Sequence, residues 1–318
     1  MVVMSGLVVQ GVQMLLVLLL APLLTGLIRK VKARLLRRAG PPLIQPYRDL
    51  LRLLRKEAVV AENASWLFCS APYAVFASTW VAAALVPTFA TGLTFSWSAD
   101  LIAIVALLGF GRFALALAGL DIGTSFGGIG SSREMMIAAL AEPAMLMIVF
   151  TLALVAHSTQ LSSMANVFVT AHVGLRVSLG LALIALIIVA LAENARIPVD
   201  NPATHLELTM VHEAMVLEYS GPHLALIELA GSVRLLLYIS LIACIFLPWG
   251  LANQGARWDA YAIGVGAYVV KLAAAGSALA LFETSIAKMR VFRVPEFLGA
   301  ALMLGLLGTL LLFVSRGL

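Results

Sequence analysis

Eight apolar stretches, each long enough to cross a lipid bilayer, take up almost all of this chain; they lie near residues 3–27, 66–92, 99–120, 134–156, 173–192, 224–252, 260–283 and 294–314. A hydrocarbon core of about 30 Å takes about twenty helical residues to span, and it forces the backbone to satisfy its own hydrogen bonds. The expected fold is therefore all-α: a polytopic membrane helix bundle with about eight transmembrane helices. Composition leaves no room for a soluble domain of any size, because only 12% of residues are charged and 62% are hydrophobic, where a soluble domain is about 25% charged. Residues 1–318 are read as a single integral membrane domain.

Charge orients the bundle. An even number of spans puts both termini on one side, and the loops around 28–65, 121–133, 193–223 and 284–293 on the other. Those loops carry fifteen basic residues: Arg29, Lys30, Lys32, Arg34, Arg37, Arg38, Arg48, Arg52, Arg55, Lys56, Arg133, Arg196, Lys288, Arg290 and Arg293. The opposite side has only Arg257 and Arg316. Basic loops stay in the cytoplasm, so this bias makes the four loops cytoplasmic. The basic run 29–38 adjoins a span and has no interleaved aromatics, which favours anionic lipid headgroups over nucleic acid as its partner. No basic segment precedes the first apolar run, so that run reads as a retained span rather than a cleaved signal.

Two segments break the apolar pattern. After Gly40-Pro41-Pro42, the residues Leu43, Tyr47, Leu50, Leu51 and Leu54 recur at helical spacing opposite Arg48, Arg52, Arg55 and Lys56, which predicts an amphipathic helix on the cytoplasmic surface. Gly123, Gly127, Gly128 and Gly130 predict a flexible 121–132 loop, with Ser131 or Ser132 capping the next helix. The glycines lack the GxxxxGK[ST] spacing of a phosphate loop. Asn201-Pro202 suits the start of a short helix inside the 193–221 loop, with Glu207 on it.

Several chemistries are excluded. Cys69 and Cys244 stand alone in separate apolar windows, which rules out a disulfide framework and a cysteine-ligated cluster. His212-Glu213 begins like an HExxH zinc site, but Val216 occupies the second histidine position. No serine sits in a GxSxG turn. What remains is charge inside the membrane. Arg112, Glu142, Glu228, Arg234 and Lys271 fall within apolar windows, and Glu193 and Glu283 near their ends. Such groups are costly in hydrocarbon, so they face protein or water; they serve either to couple charge and protons or to hold helices together. Glu193, Arg196, Asp200, Glu207, Glu213 and Glu218 form the main acidic group, interspersed with Ile197, Leu206, Met210 and Met215 as though packed beneath another protein.

These residues resemble a known family: the membrane subunit shared by respiratory complex I (NADH dehydrogenase subunit 1) and membrane-bound [NiFe] hydrogenases, including formate hydrogenlyase subunit 4 and hydrogenase-4 component C. The resemblance rests on separated motifs in family order. They are Gly40-Pro41-Pro42 with Gln45-Pro46-Tyr47-Arg48-Asp49-Leu50-Leu51 and Lys56-Glu57; Gly119-Leu120-Asp121 with Ser132-Arg133-Glu134 and Glu142-Pro143; Glu193 to Asp200; and Glu218-Tyr219-Ser220-Gly221. The second set looks like the hydrogenase branch, and the longer GPNRVG-type signature of complex I is absent before Leu43. After Asp200, where complex I relatives carry further acids, this chain has Ala203 and His205.

The resemblance implies a non-catalytic anchor and coupling subunit in a bacterial cytoplasmic (inner) membrane. Its cytoplasmic loops 28–65 and 193–221 are expected to dock a redox module, with Gln45, Tyr47, Arg48, Asp49, Asp121, Arg133 and Glu134 at the docking surface. The implied coupling or proton path runs through Glu142, Glu193, Arg196, Asp200, Glu207, Glu213, Glu218, Glu228, Arg234 and Lys271. Expected partners are hydrogenase-like large and small subunits, a ferredoxin-like iron–sulfur subunit, antiporter-like membrane subunits and lipid. The [NiFe] centre and iron–sulfur clusters would belong to those partners, with no cofactor on this chain. Two alternatives stand beside this reading: a quinone-binding subunit of a respiratory NADH dehydrogenase, and a stand-alone ion transporter.

Overall fold

The computed structural model describes residues 2–170, 177–196, 210–253, 255–286 and 293–316. Each apolar window contains a helix. Those helices are α1 (Val2–Leu35), α3 (Trp66–Leu85), α4 (Leu101–Asp121), α5 (Ser125–Ala156), α7 (Val177–Glu193), α9 (Gly221–Phe246), α10 (Trp258–Ser285) and α11 (Val294–Arg316). The first four and the last three are long and apolar enough to cross a membrane, and α7 is a shorter apolar helix of 17 described residues. The chain is a multi-pass helical membrane protein. The amphipathic segment forms α2 (Gln45–Leu54), and the remaining helices among the described residues are α6 (Leu161–Thr170) and α8 (His212–Val216).

α9 lies at the centre. It packs against α1, α2, α3, α6, α7 and α10, and its Leu235, Leu236, Leu237, Tyr238 and Leu241 are buried in the main apolar core with residues of α4, α5 and α7. The helices are apolar all round, as expected where the outer face meets lipid instead of water. Leu15 and Leu19 on α1, Ile184 on α7 and Phe313 on α11 are exposed on that outer face. Exposed Phe95, Trp97, Trp249 and Trp258 gather near the ends of the spans, as aromatic residues do at membrane interfaces.

Polar side chains close both ends of the bundle. At one end Gln10 and Gln13 of α1 donate to the carbonyls of Ala84 and Val86, which α3 leaves without helical partners. Beyond them, Phe89 and Thr91 pair through their backbones with Ala252, and Thr159 bonds to Asp100, the N-cap of α4. At the other end, Ser65 N–H donates to Asp121 at 2.9 Å and Val59 pairs with the Ser220 hydroxyl. Arg133 reaches the Met210 carbonyl at 2.7 Å. The loops with the basic bias therefore meet at one end of the molecule.

Two sequence expectations change. The 121–132 segment is not a flexible loop: Thr124 caps α5 by accepting from Gly127 N–H at 3.1 Å, and Gly127, Gly128 and Gly130 lie inside the helix. Small residues there admit a neighbouring backbone, as in close membrane helix packing. A Cβ on Gly127 would stand 2.3 Å from the Gly119 carbonyl oxygen, and one on Gly130 would stand 3.0 Å from the Val211 carbonyl oxygen. Ser131 does not cap this helix; buried within it, it donates to the Ala116 carbonyl at 2.9 Å. The connection before residue 173 also contains α6, which buries Leu161, Met164 and Ala165 in the main core.

Candidate functional site

Arg112 is the organising charge. Its helix, α4, packs against α5, which brings Arg112 Nη2 to 3.1 Å from Glu142 Oε1, while Nη1 donates to Glu193 at the C-terminal end of α7. The Arg112 and Glu193 side chains are buried, whereas 45% of the Glu142 side chain is exposed. Arg112 Nε and Glu193 Oε2 have no protein partner among the described residues, so the cluster keeps one donor and one acceptor uncommitted. Fully buried Tyr238 on α9 stands within electrostatic reach of both residues.

The cluster lies between two cavities. On the side of the basic loops, a cavity of about 500 Å³ is bounded by α1, α2, α8, α9 and the residues after α7; its walls include Arg29, Asp49, Arg196, His212, Glu228 and Arg234. Between α4 and α5 a second cavity, about 460 Å³, is largely apolar around Arg112 and Glu142. A gap of about 10 Å³ lies between them: it shares His212 and Arg234 with the first and Arg112 with the second, and Thr79 lines it too. That is room for about one water molecule.

Electrostatics at the first cavity follow from burial. His212 is held well below the ordinary imidazole range by desolvation and then by the Arg234 charge, so it is neutral near pH 7. Tyr219 is raised, chiefly by desolvation, and remains a phenol. Its ring stacks on Phe68 at 4.0 Å and its hydroxyl donates to the Phe68 carbonyl. These contacts fasten the 218–221 turn to α3.

The residues singled out in the sequence fall into separate places. Glu142, Glu193 and Arg112 form the cluster, and Arg234 lies between it and the first cavity. Glu228, Glu213 and Arg196 line that cavity, and Glu218 is partly exposed in the turn after α8. Asp200 and Glu207, with the suggested helix start at Asn201-Pro202, lie outside the described residues. Lys271 sits apart, donating to the Leu247 and Trp249 carbonyls at the C-terminal end of α9, with its ammonium 4.5 Å from the centroid of the Trp249 ring.

On the proposed docking side, Gln45 donates to Asp49 at 3.0 Å, Tyr47 bonds to the Leu19 carbonyl and Arg48 is exposed. Asp121 is tied to Ser65, Arg133 is held by the Met210 carbonyl and Glu134 is buried. Glu283, outside the proposed path and docking set, is buried between Lys32 at 2.8 Å and Arg196 at 3.3 Å. Its place at the end of an apolar window was the only sequence signal.

The sequence matches the family model described as NADH dehydrogenase over residues 9–314. It is 31% identical to formate hydrogenlyase subunit 4 of Escherichia coli K12 over 90% of this chain and 92% of that protein. It is 35% identical to hydrogenase-4 component C of the same organism over 76% of each, and 30% identical to NADH-ubiquinone oxidoreductase chain 1 of Triticum aestivum over 72% of this chain and 73% of that protein. The fold is similar to a chain of the membrane-bound sulfane sulfur reductase, an archaeal respiratory membrane complex. That similarity has a TM-score of 0.79 at 18% identity and covers 96% of this chain and 99% of the other.

Proposed function

Since the chain belongs to the NADH dehydrogenase family, and is a membrane subunit of the kind found in complex I-like hydrogenase and formate hydrogenlyase assemblies, we propose that it anchors and couples such a hydrogenase in a bacterial cytoplasmic membrane. The [NiFe] centre and iron–sulfur clusters belong to hydrogenase-like and ferredoxin-like partners docked on loops 28–65 and 193–221, and antiporter-like subunits flank the bundle. The greater identity and coverage of the two hydrogenase-linked relatives favour that branch.

One observation carries the reading: a buried Arg112–Glu193 pair, with Glu142 as the second carboxylate, sits between a cavity on the side of the basic loops and one between α4 and α5. A charge change in the first cavity alters the field at Arg234 and Arg112, and through Arg112 at the two carboxylates it holds. The chain's part is to move charge; electron transfer belongs to its partners. In the purified complex, Glu142→Gln, which leaves the buried Arg112–Glu193 pair in place, is expected to keep the subunits together and to impair redox-linked ion uptake in vesicles. Normal uptake with normal subunit content would remove the relay.

A second reading, a quinone-binding subunit, draws support from the size of the first cavity, which lies within the range of small-molecule sites. Bound quinone in the purified complex would favour it.

A further inference from the structure

The cytoplasmic end of α1 carries basic residues on two different faces. Thr25 and Arg29 line the central cavity, whereas Leu27, Lys30, Val31, Arg34 and Leu35 line a separate groove of about 510 Å³ on the outside of the bundle. Leu43 forms the groove's other wall. Gly26 makes that wall possible, because a Cβ there would lie 2.2 Å from the Leu43 carbonyl oxygen; the chain after α1 can therefore fold back directly onto the helix.

The groove's depth follows from the helices. α3 has 20 residues, about 30 Å of rise, and its far end is hydrogen-bonded to Gln10 and Gln13 of α1. Its near end, at exposed Trp66, is therefore level with a point about twenty residues further along α1. Lys30 and Arg34 thus stand at the membrane–water boundary. Among the described residues neither has an ion-pair partner, although Lys32 on the adjoining face is paired with Glu283.

We propose that this groove is a discrete site for one anionic glycerophospholipid of the cytoplasmic leaflet. Lys30 and Arg34 hold its phosphate, and the first methylenes of an acyl chain lie along Val31 and Leu27. Two unpaired cations above apolar walls, at headgroup level, match the charge and polarity of such a lipid. Bound there, the lipid would fill the space between α1 and the segment leading into α2, which forms a wall of the central cavity.

The test is native mass spectrometry of the full chain, purified with its co-assembling subunits in mild detergent and supplied with phosphatidylglycerol or phosphatidylcholine. One retained phosphatidylglycerol per chain is expected, with little phosphatidylcholine. At about 1 kcal/mol for each charged group in direct contact with the phosphate, K30Q/R34Q should weaken retention roughly thirtyfold. R37Q/R38Q removes the same charge outside the groove and should leave retention unchanged. Val31→Trp fills the groove without altering charge and should also expel the lipid. Equal loss in both charge variants, equal retention of the two lipids, or full retention by Val31→Trp would each overturn the proposal. So would displacement by inorganic phosphate alone, which would indicate a site for the free anion.

Discussion

Glu142 accepts a hydrogen bond from Arg112 at 3.1 Å, yet 45% of its side chain is exposed, into a largely apolar cavity between two membrane-spanning helices. A carboxylate in that position does not face hydrocarbon without cost. That exposure sets Glu142 apart from the buried Glu193.

Glutamine at Glu142 keeps the shape and removes the titratable proton. Glu142→Gln is expected to leave subunit content unchanged and to lower redox-linked ion uptake roughly tenfold, within the range by which single residues alter coupling. Subunit stoichiometry and ion uptake by the purified complex in vesicles check this. Loss of the complex itself would instead mark Glu142 as a packing residue.

Removing one partner of a buried ion pair leaves the other charge uncompensated, at a cost of about 3–5 kcal/mol. Arg112→Met should accordingly lower the thermal stability of the complex more than Arg112→Met combined with Glu193→Met. Melting curves of the native protein and the two variants give the comparison, and additive losses would contradict the pairing.

His212 is held below its ordinary range, so the folded chain binds fewer protons there than the unfolded chain once pH falls below about 6.5. The stability linked to neutral His212 is fully present above that pH and is lost as pH falls toward the folded value. Protection factors of the α8 amides, which remove the base-catalysed intrinsic rate, should therefore fall between pH 7.5 and 5, and His212→Gln should flatten that slope.

Glu283 holds Lys32 and Arg196, joining the end of α1 to the residues after α7. Glu283→Gln exchanges two charge-assisted bonds for weaker ones, a loss of about 1–3 kcal/mol. Faster hydrogen exchange at residues 193–196, with unchanged exchange near Gln13, is the expected outcome.

The glycines of α5 provide a contrast within one helix. Gly127→Ala would drive a Cβ against the Gly119 carbonyl oxygen, while Gly128 has nothing within 4 Å. Gly127→Ala should destabilise the protein by about 2 kcal/mol, and Gly128→Ala should be neutral or stabilising by up to about 1 kcal/mol. Thermal melts of the purified protein distinguish them.

Helix positions were legible in the order of the residues. In lipid the backbone must satisfy itself within each segment, so apolar run length alone marks a span, and all eight windows hold helices. Amphipathic α2 was equally legible, because the alternation of Leu50, Leu51 and Leu54 with Arg48 and Arg52 is a local pattern. The glycines of α5 misled for the opposite reason: glycine marks a turn locally, whereas here Gly127 and Gly130 serve contacts with Gly119 and Val211 that chain order does not reveal.

Which intramembrane charges meet became visible only in the folded bundle. Helices that are apolar all round carry no periodic signal of which face is inward, so nothing in the sequence joined Arg112 to Glu193 across 81 positions or to Glu142 across 30. Nor did anything separate Lys271 of α10, which bonds carbonyls at the end of α9, from that cluster. Burial makes a charge costly wherever it lies along the chain, but packing alone supplies its partner.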